Sequence, residues 1–105
     1  MAYTRGERMP MFITLGNFTD QGIRNYQDSP KRAKAFKDMV EGMGGKVHNV
    51  FWTLGQYDLV AIVEAPDDQT AAALAVKQAS LGNIRALTMP AFEMDEIQKI
   101  IKATE

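Results

Sequence analysis

Short apolar runs and amphipathic stretches alternate along this chain of 105 residues. The run from Met11 to Leu15 has the length and composition of a β-strand. A helix is predicted to begin with Ser29 as its N-cap and Pro30 in the first helical position. Its apolar residues recur at spacings of three and four, which places them on one stripe: Ala33, Phe36, Val40 and Met43. Gly44 and Gly45 are predicted to end this helix.

Two runs rich in β-forming residues, 47–54 and 57–65, are separated only by Gly55 and Gln56. A two-residue loop that begins with glycine favours a type II′ hairpin turn, with a positive φ at Gly55. This turn predicts a register that pairs Trp52 with Leu59. One face of the hairpin then carries His48, Val50, Trp52, Leu54, Tyr57, Leu59, Ala61 and Val63. The opposite face carries Val47, Asn49, Phe51, Thr53, Asp58, Val60, Ile62 and Glu64.

Both faces of the predicted hairpin therefore hold large apolar side chains. An antiparallel sheet that is wetted on one side should instead alternate apolar with polar residues. Helices can cover only one face in a domain of this size, so a second copy of the chain is predicted to cover the other. The expected assembly is a homodimer or larger homo-oligomer, with an interface formed by Asn49, Phe51, Asp58, Val60 and Ile62.

The remaining part of the chain predicts a helix, a strand and a final helix. Asp67 and Asp68 place carboxylates at a helix N-terminus, and the alanine-rich run from Thr70 to Leu81 forms that helix. The run from Ile84 to Met89 reads as a strand. Residues Glu93 to Lys102 are amphipathic at helical spacing and predict a C-terminal helix.

This order of elements predicts an α+β fold of the ferredoxin-like βαββαβ type with a C-terminal helix. Its four strands would form one antiparallel sheet. Residues 11–105 are expected to form this single domain, because a chain of this length supports one core. Residues 1–10 are polar and aperiodic, so we expect them to form a flexible leader.

Charge and composition argue against several classes of partner. The formal net charge is -1, with no large basic field, so neither nucleic acid nor an anionic membrane is expected. The basic residues 24, 31, 32, 34 and 37 could form an anion-attracting helix face, although such a face is more often merely solvated. No apolar run approaches the roughly 20 residues of a membrane span. The lack of cysteine favours a cytoplasmic protein.

The sequence holds no recognisable catalytic or metal-binding motif. His48 is its one histidine, and the serines at 29 and 80 lie at predicted helix ends with no base beside them. One histidine and no cysteine leave few metal ligands, and no HExxH or EF-hand spacing occurs. The glycines at 42–45 follow a helix instead of opening one, which argues against a phosphate loop. The catalytic residues stay unknown, and no metal or cofactor is expected.

A candidate ligand-binding site gathers near the hairpin: Trp52, Tyr57, His48, Asn17 and Asp58. In one interpretation, Trp52, Tyr57 and His48 line an apolar cavity between sheet and helices while Asp58 braces the turn. In the other, Asp58 faces a cavity at the oligomer interface. The first is favoured, because concave sites are usually apolar with a few polar tips. A purely structural role, with core aromatics and a carboxylate that satisfies turn N–H groups, fits the same residues.

Four segments carry a resemblance to a known family: FITLGNFTDQGIRN, DSPKRAKAFKDM, FWTLGQYDLVAIVEAPDD and SLGNIRALTMPAF. They occur in the right order within residues 11–101 and closely resemble the GYD domain family of small bacterial and archaeal proteins. The name-giving triplet stands here as Gly55-Gln56-Tyr57-Asp58, with Gln56 inserted. The family is similar to the dimeric α/β-barrel group, so the resemblance implies two ferredoxin-like sheets that face each other.

Three function classes are compatible with these features. The favoured class is a homo-oligomeric module that binds or senses a small apolar or aromatic molecule, because few reactive groups suit binding better than turnover. The second is a cofactor-independent enzyme of oxygenase or isomerase type, since members of the wider dimeric-barrel group use neutral Asn, Trp and Tyr side chains for such chemistry. The third is a structural subunit of an oligomer.

Overall fold

The computed structural model describes residues 9–105, which form a sheet flanked by helices. In chain order the elements are β1 (Met11–Phe18), α1 (Asp20–Arg24), α2 (Ser29–Gly42), β2 (Lys46–Trp52), β3 (Leu59–Glu64), α3 (Asp68–Ser80), β4 (Ile84–Ala91) and α4 (Met94–Lys102). A short 3-10 turn at Tyr26–Asp28 joins α1 to α2. The four strands are antiparallel in the order β2-β3-β1-β4. The predicted ferredoxin-like α+β fold is therefore confirmed.

Residues 1–8 of the predicted leader lie outside the described residues. Pro10 accepts a 3.1 Å hydrogen bond from the Ala65 N–H, so the last predicted leader residue already contacts the domain. None of the helices in residues 9–105 is long and apolar enough to cross a membrane.

The core lies between the sheet and the two long helices. Val40 of α2 is completely buried, and Leu74 of α3 packs with it against Val47, Ala61 and Val63 of the sheet. Burial of an aliphatic side chain contributes about 1.5 to 3 kcal/mol, so this cluster anchors both helices on one face of the sheet.

The predicted start of α2 needs one correction. Ser29 is the first residue of the helix, Asp28 occupies the N-cap position, and neither side chain caps the helix. The Ser29 hydroxyl instead accepts a hydrogen bond from a side chain of the sheet. The predicted end of the helix is confirmed, because Gly44 has φ +86° and turns the chain out of the helical conformation.

The β2–β3 hairpin differs from its prediction in two ways. Trp52 pairs with Leu59 as expected, but residues 53–58 form a loop between the strands in place of a two-residue turn. The register also shifts between Val47 and Asn49, where a bulge places an extra residue in β2. The bulge turns Val47 to the helix side, where it pairs with Val63 and is buried. Its predicted position on the opposite face is therefore wrong.

The two long helices α2 and α3 pack on one face of the sheet, and we call the opposite face the open face. By strand register and alternation it holds Ile13, Leu15, Phe51, Val60, Ile62, Leu87 and Met89. Phe51 is 49% exposed and Leu87 is 50% exposed. The sheet thus presents the second apolar surface that the sequence pattern predicts.

Candidate functional site

A cleft of ≈ 590 Å³ opens where the end of β2 meets the segment between β1 and α2. We call it the Trp52 cleft, and its lining residues are Phe18, Ile23, Tyr26, Ser29, Pro30, Trp52, Thr53, Leu54 and Asp58. Its mouth is unusually apolar, since Trp52 is 48% exposed, Tyr26 is 59% exposed and Leu54 is fully exposed. Surface regions of this composition mark ligand or protein contacts more often than solvated surface.

Trp52 holds its position through a hydrogen bond to α2. Its indole Nε1–H donates to Ser29 Oγ over 2.8 Å, and Ser29 itself is buried. The bond satisfies the single polar atom of the indole, while the ring stays available on the cleft side.

Asp58 lines the cleft and makes hydrogen bonds to the backbone of two neighbouring segments. Its Oδ2 accepts a 3.0 Å hydrogen bond from the Phe18 N–H, and its own N–H donates to the Gly16 carbonyl over 2.9 Å. Its carbonyl accepts a 2.8 Å hydrogen bond from the Thr53 N–H. Asp58 therefore ties the loop of residues 53–58 to the end of β1, which is the bracing role that the sequence interpretation favours.

A smaller cavity of ≈ 80 Å³ lies between the sheet and α2, and we call it the inner cavity. Its walls are mostly apolar and include Ala33, Phe36, Val50, Leu59, Ala61 and Ile84. Ser29 lines both this cavity and the Trp52 cleft, so the two spaces adjoin at that residue. The polar groups at the cavity wall include Arg32 of α2 and Gln78 of α3.

The structure brings together only part of the predicted site. Trp52 and Asp58 line the same cleft. Tyr57 is half-buried in the neighbouring loop, where its carbonyl accepts a 2.6 Å hydrogen bond from Thr53 Oγ1, and it does not line the cleft. His48 lies at the bulge near the other end of β2.

The two remaining predicted residues lie away from the cleft. The His48 Nε2 atom is 3.2 Å from Glu64 Oε1, on the open-face side of the sheet. Asn17 pairs with Arg85 between β1 and β4, and alternation places it on the open face as well. These two residues are therefore separated from Trp52 by the thickness of the sheet.

Three residues that line the cleft or the cavity are not among the site residues predicted from the sequence. Ile23 and Tyr26 lie in α1 and in the 3-10 turn after it, which are too short to show an apolar stripe. Arg32 appeared as one of several cations on a helix face. A usable signal was its position one residue before Ala33, the first residue of the apolar stripe.

One cluster of carboxylates lies at the start of α4. The side chains of Glu93, Asp95 and Glu96 place oxygens within 4.8 Å of one another. Glu93 and Glu96 form a reciprocal capping box, in which Glu96 Oε1 accepts from the Glu93 N–H over 3.0 Å. Helix capping accounts for this grouping, so we assign no metal site to it.

The comparison with known proteins agrees with this architecture. The model of the GYD domain family matches residues 12–101. The chain belongs to the GYD domain family. A relative from Thermus thermophilus is 33% identical over 90 residues, which cover 85% of this chain and 95% of the relative. That protein is named "Glutamine synthetase and cystathionine beta-lyase binding protein".

Solved structures of other proteins have a fold similar to that of this GYD domain. The leucine response regulatory protein of Mycobacterium tuberculosis superimposes with a TM-score of 0.61 at 13% identity, covering 81% of this chain and 51% of that chain. A solved protein of Thermus thermophilus gives a TM-score of 0.53 at 23% identity, covering 81% of this chain and 95% of that chain. The GYD chain thus spans about half the length of the Mycobacterium regulator, and these identities support a shared fold alone.

Proposed function

We propose that this GYD domain is a homo-oligomeric binding module that takes a small molecule with an apolar or aromatic group at the Trp52 cleft. The observation that carries this proposal is the cleft itself, with a volume of ≈ 590 Å³ and an exposed indole in its wall. Ligand sites in proteins have volumes of roughly 300 to 1,000 Å³, mostly apolar walls and a few polar groups. Trp52, Tyr26 and Asp58 supply that combination.

The chemistry of the cleft favours binding over turnover. Its side chains include one carboxylate, Asp58, which already accepts a backbone hydrogen bond and serves the fold. The histidine that could act as a base, His48, pairs with Glu64 away from the cleft. A general base must lie within hydrogen-bond reach of the proton that it abstracts, and His48 does not line the cleft. The described residues of the cleft offer a recognition surface instead.

The open face supports the oligomeric part of the proposal. Leu15 of β1 pairs with Val60 of β3 on one side and with Leu87 of β4 on the other, so apolar side chains run across the sheet. Exposed apolar patches of this kind are rare on monomers and common at protein interfaces. A second copy of the same face has the same apolar composition, and two copies can pair through a twofold axis.

The binding proposal is tested with the one tryptophan of the chain as an intrinsic reporter. Titration of the protein with 4-phenyl-1-butanol should change Trp52 fluorescence in a saturable way. Tyr26→Ala should weaken binding at least fivefold, because it removes an aromatic wall of the cleft. Phe92→Ala is the matched control, since Phe92 is 58% exposed and does not line the cleft. Equal affinities for the wild type and Tyr26→Ala would contradict this site.

A second candidate function is the binding of other proteins, and it rests on the name of the Thermus relative. Trp52 and Tyr26 belong to the residue types that dominate protein–protein hot spots. The test uses purified glutamine synthetase and cystathionine beta-lyase as the partners in a calorimetric titration. Leu54→Asp should abolish binding, because Leu54 lines the cleft and is fully exposed. If neither enzyme binds at micromolar concentration, this second function is excluded for those partners.

A further inference from the structure

The inner cavity adjoins the Trp52 cleft through one shared residue. Ser29 lines both spaces, and its hydroxyl oxygen is held by the indole N–H of Trp52. A ligand whose aromatic or aliphatic part enters the cleft therefore has a second, more enclosed space beside it. One water molecule needs roughly 10 to 15 Å³ of cavity volume. The ≈ 80 Å³ cavity therefore holds about five to eight groups of this size.

The wall of the inner cavity combines apolar side chains with one charged group. Phe36, Val50 and Leu59 would contact the body of a small apolar molecule. Arg32 is the charged residue among those that line the cavity. An arginine in the wall of an apolar space favours a ligand that carries an anionic group on an apolar body.

In the part of the chain that the structure describes, Arg32 is positioned by two hydrogen bonds to backbone carbonyls. Its Nη1 donates to the Asn25 carbonyl over 2.8 Å, and its Nη2 donates to the Gly22 carbonyl over 3.2 Å. Within residues 9–105, both of these bonds go to neutral acceptors. A guanidinium has five N–H donors in a fixed fork, so donors are left to meet a ligand. The two bonds also fix the orientation of the group, which lowers the entropy cost of binding an anion.

We infer that the ligand of this domain is a small carboxylate whose apolar part extends from the Trp52 cleft into the inner cavity and whose carboxylate binds Arg32. This inference rests on the proposed binding function and names its class of ligand. A planar carboxylate matches the guanidinium fork with two parallel hydrogen bonds. Asp58 is the carboxylate among the residues that line the Trp52 cleft, and its charge disfavours a second carboxylate there, so the ligand's carboxylate is expected at Arg32.

The experiment compares hexanoate with 1-hexanol, two probes that share a six-carbon chain and differ in the charged group. Binding to the intact protein is measured by Trp52 fluorescence and by calorimetry. Hexanoate should bind wild type at least tenfold more tightly than 1-hexanol. Arg32→Gln should bind the two probes with about equal affinity, whereas Arg24→Gln should keep the preference for hexanoate. Arg24 is the matched control, because it is an exposed arginine of α1 that does not line the cavity.

Ala33→Leu tests the place of binding independently of charge. Ala33 lines the cavity, so the larger side chain should fill it and weaken both probes at least tenfold while the protein still melts cooperatively. Equal binding of hexanoate and 1-hexanol to wild type would overturn the carboxylate inference but leave the binding module standing. An equal loss of preference in Arg24→Gln and Arg32→Gln would also overturn it. If wild type binds neither these probes nor 4-phenyl-1-butanol, the proposed function fails as well.

Discussion

Trp52 Nε1 lies 2.8 Å from Ser29 Oγ and donates a hydrogen bond to it, which ties the edge strand β2 to the first residue of α2. The bond lies where the Trp52 cleft adjoins the inner cavity, since Ser29 lines both spaces. A contact that supports the fold thus also shapes the surface on which the binding proposal depends. Substitutions at either residue can separate the two roles.

Ser29→Ala should destabilise the domain by about 0.5 to 1.5 kcal/mol, because it removes the acceptor of the Trp52 hydrogen bond. The indole N–H would turn to water, so the fluorescence maximum of Trp52 should move to longer wavelength. Ser80→Ala is the control, since its exposed hydroxyl donates only to the Lys77 carbonyl at the end of α3. Denaturant unfolding measures the change. If the loss of unfolding free energy in the double variant equals the sum of the losses in Ser29→Ala and Trp52→Phe, the hydrogen bond contributes nothing to stability.

Asp58→Ala should destabilise the domain by about 1 to 3 kcal/mol, because the Phe18 N–H loses its carboxylate acceptor. Asp58→Asn keeps an acceptor oxygen at the same position, so it should destabilise the domain clearly less than Asp58→Ala does. Tyr57→Phe should change neither the melting temperature nor ligand binding, since Tyr57 does not line the cleft. If Asp58→Asn abolished binding with an unchanged melt, Asp58 would be a ligand contact and not a brace.

The order of the elements was predictable because each has a strong local signal. The apolar stripe of α2 and the glycine at its end are independent of the rest of the fold, and Gly44 adopts the positive φ that such an end needs. The bulge in β2 was harder, since one inserted residue reverses every side chain beyond it. Val47 and Val50 are three residues apart and both reach the helix side, a spacing that regular alternation forbids. That spacing was the available signal.

The candidate site was predictable only where residues are close in sequence. Trp52 and Asp58 flank one loop, so their meeting in one cleft follows from the hairpin. The positions of His48 and Asn17 depend on which face of the sheet each strand residue occupies. In β2 the bulge changes this face for the residues before it. The contribution of Tyr26 depends on the packing of α1 and the 3-10 turn beside β2, which no local pattern specifies.

Gly55→Val should destabilise the domain by about 1 to 3 kcal/mol through backbone strain, because Gly55 has φ +128°. A Cβ at this position would meet no atom within 4 Å, so steric overlap adds nothing to the cost. Gly42→Ala is a matched control, because it also faces open space but lies in the last turn of α2 without a positive φ. It should stabilise the domain slightly. Equal melting temperatures for the two variants would refute the strain argument.

Acid should weaken the start of α3 through Asp67. Its carboxylate accepts a 2.7 Å hydrogen bond from the Thr70 N–H, which holds the pKa of Asp67 below its ordinary value of 3.8. A lowered pKa in the folded state means that the cap stabilises the fold fully above the ordinary value, and less as pH falls from 3.8 through the lowered pKa. Asp67→Asn also caps the helix but does not titrate. Its melting temperature should therefore fall less than that of wild type over this acid range.

Leu87→Glu should convert the proposed oligomer to a monomer, because Leu87 pairs with Leu15 near the middle of the open face and is 50% exposed. A specific interface buries roughly 1,200 to 2,000 Å² in total, and an unpaired carboxylate at its centre would lose hydration without gaining a partner. Val76→Glu introduces the same charge on α3, where the side chain is 70% exposed and lies on the helix side of the sheet. Light scattering at micromolar concentration should give an oligomer for wild type and Val76→Glu, and a monomer for Leu87→Glu with an unchanged circular dichroism spectrum. A monomeric wild type would remove the oligomer from the proposed function, and an oligomer that survives Leu87→Glu would place the interface elsewhere.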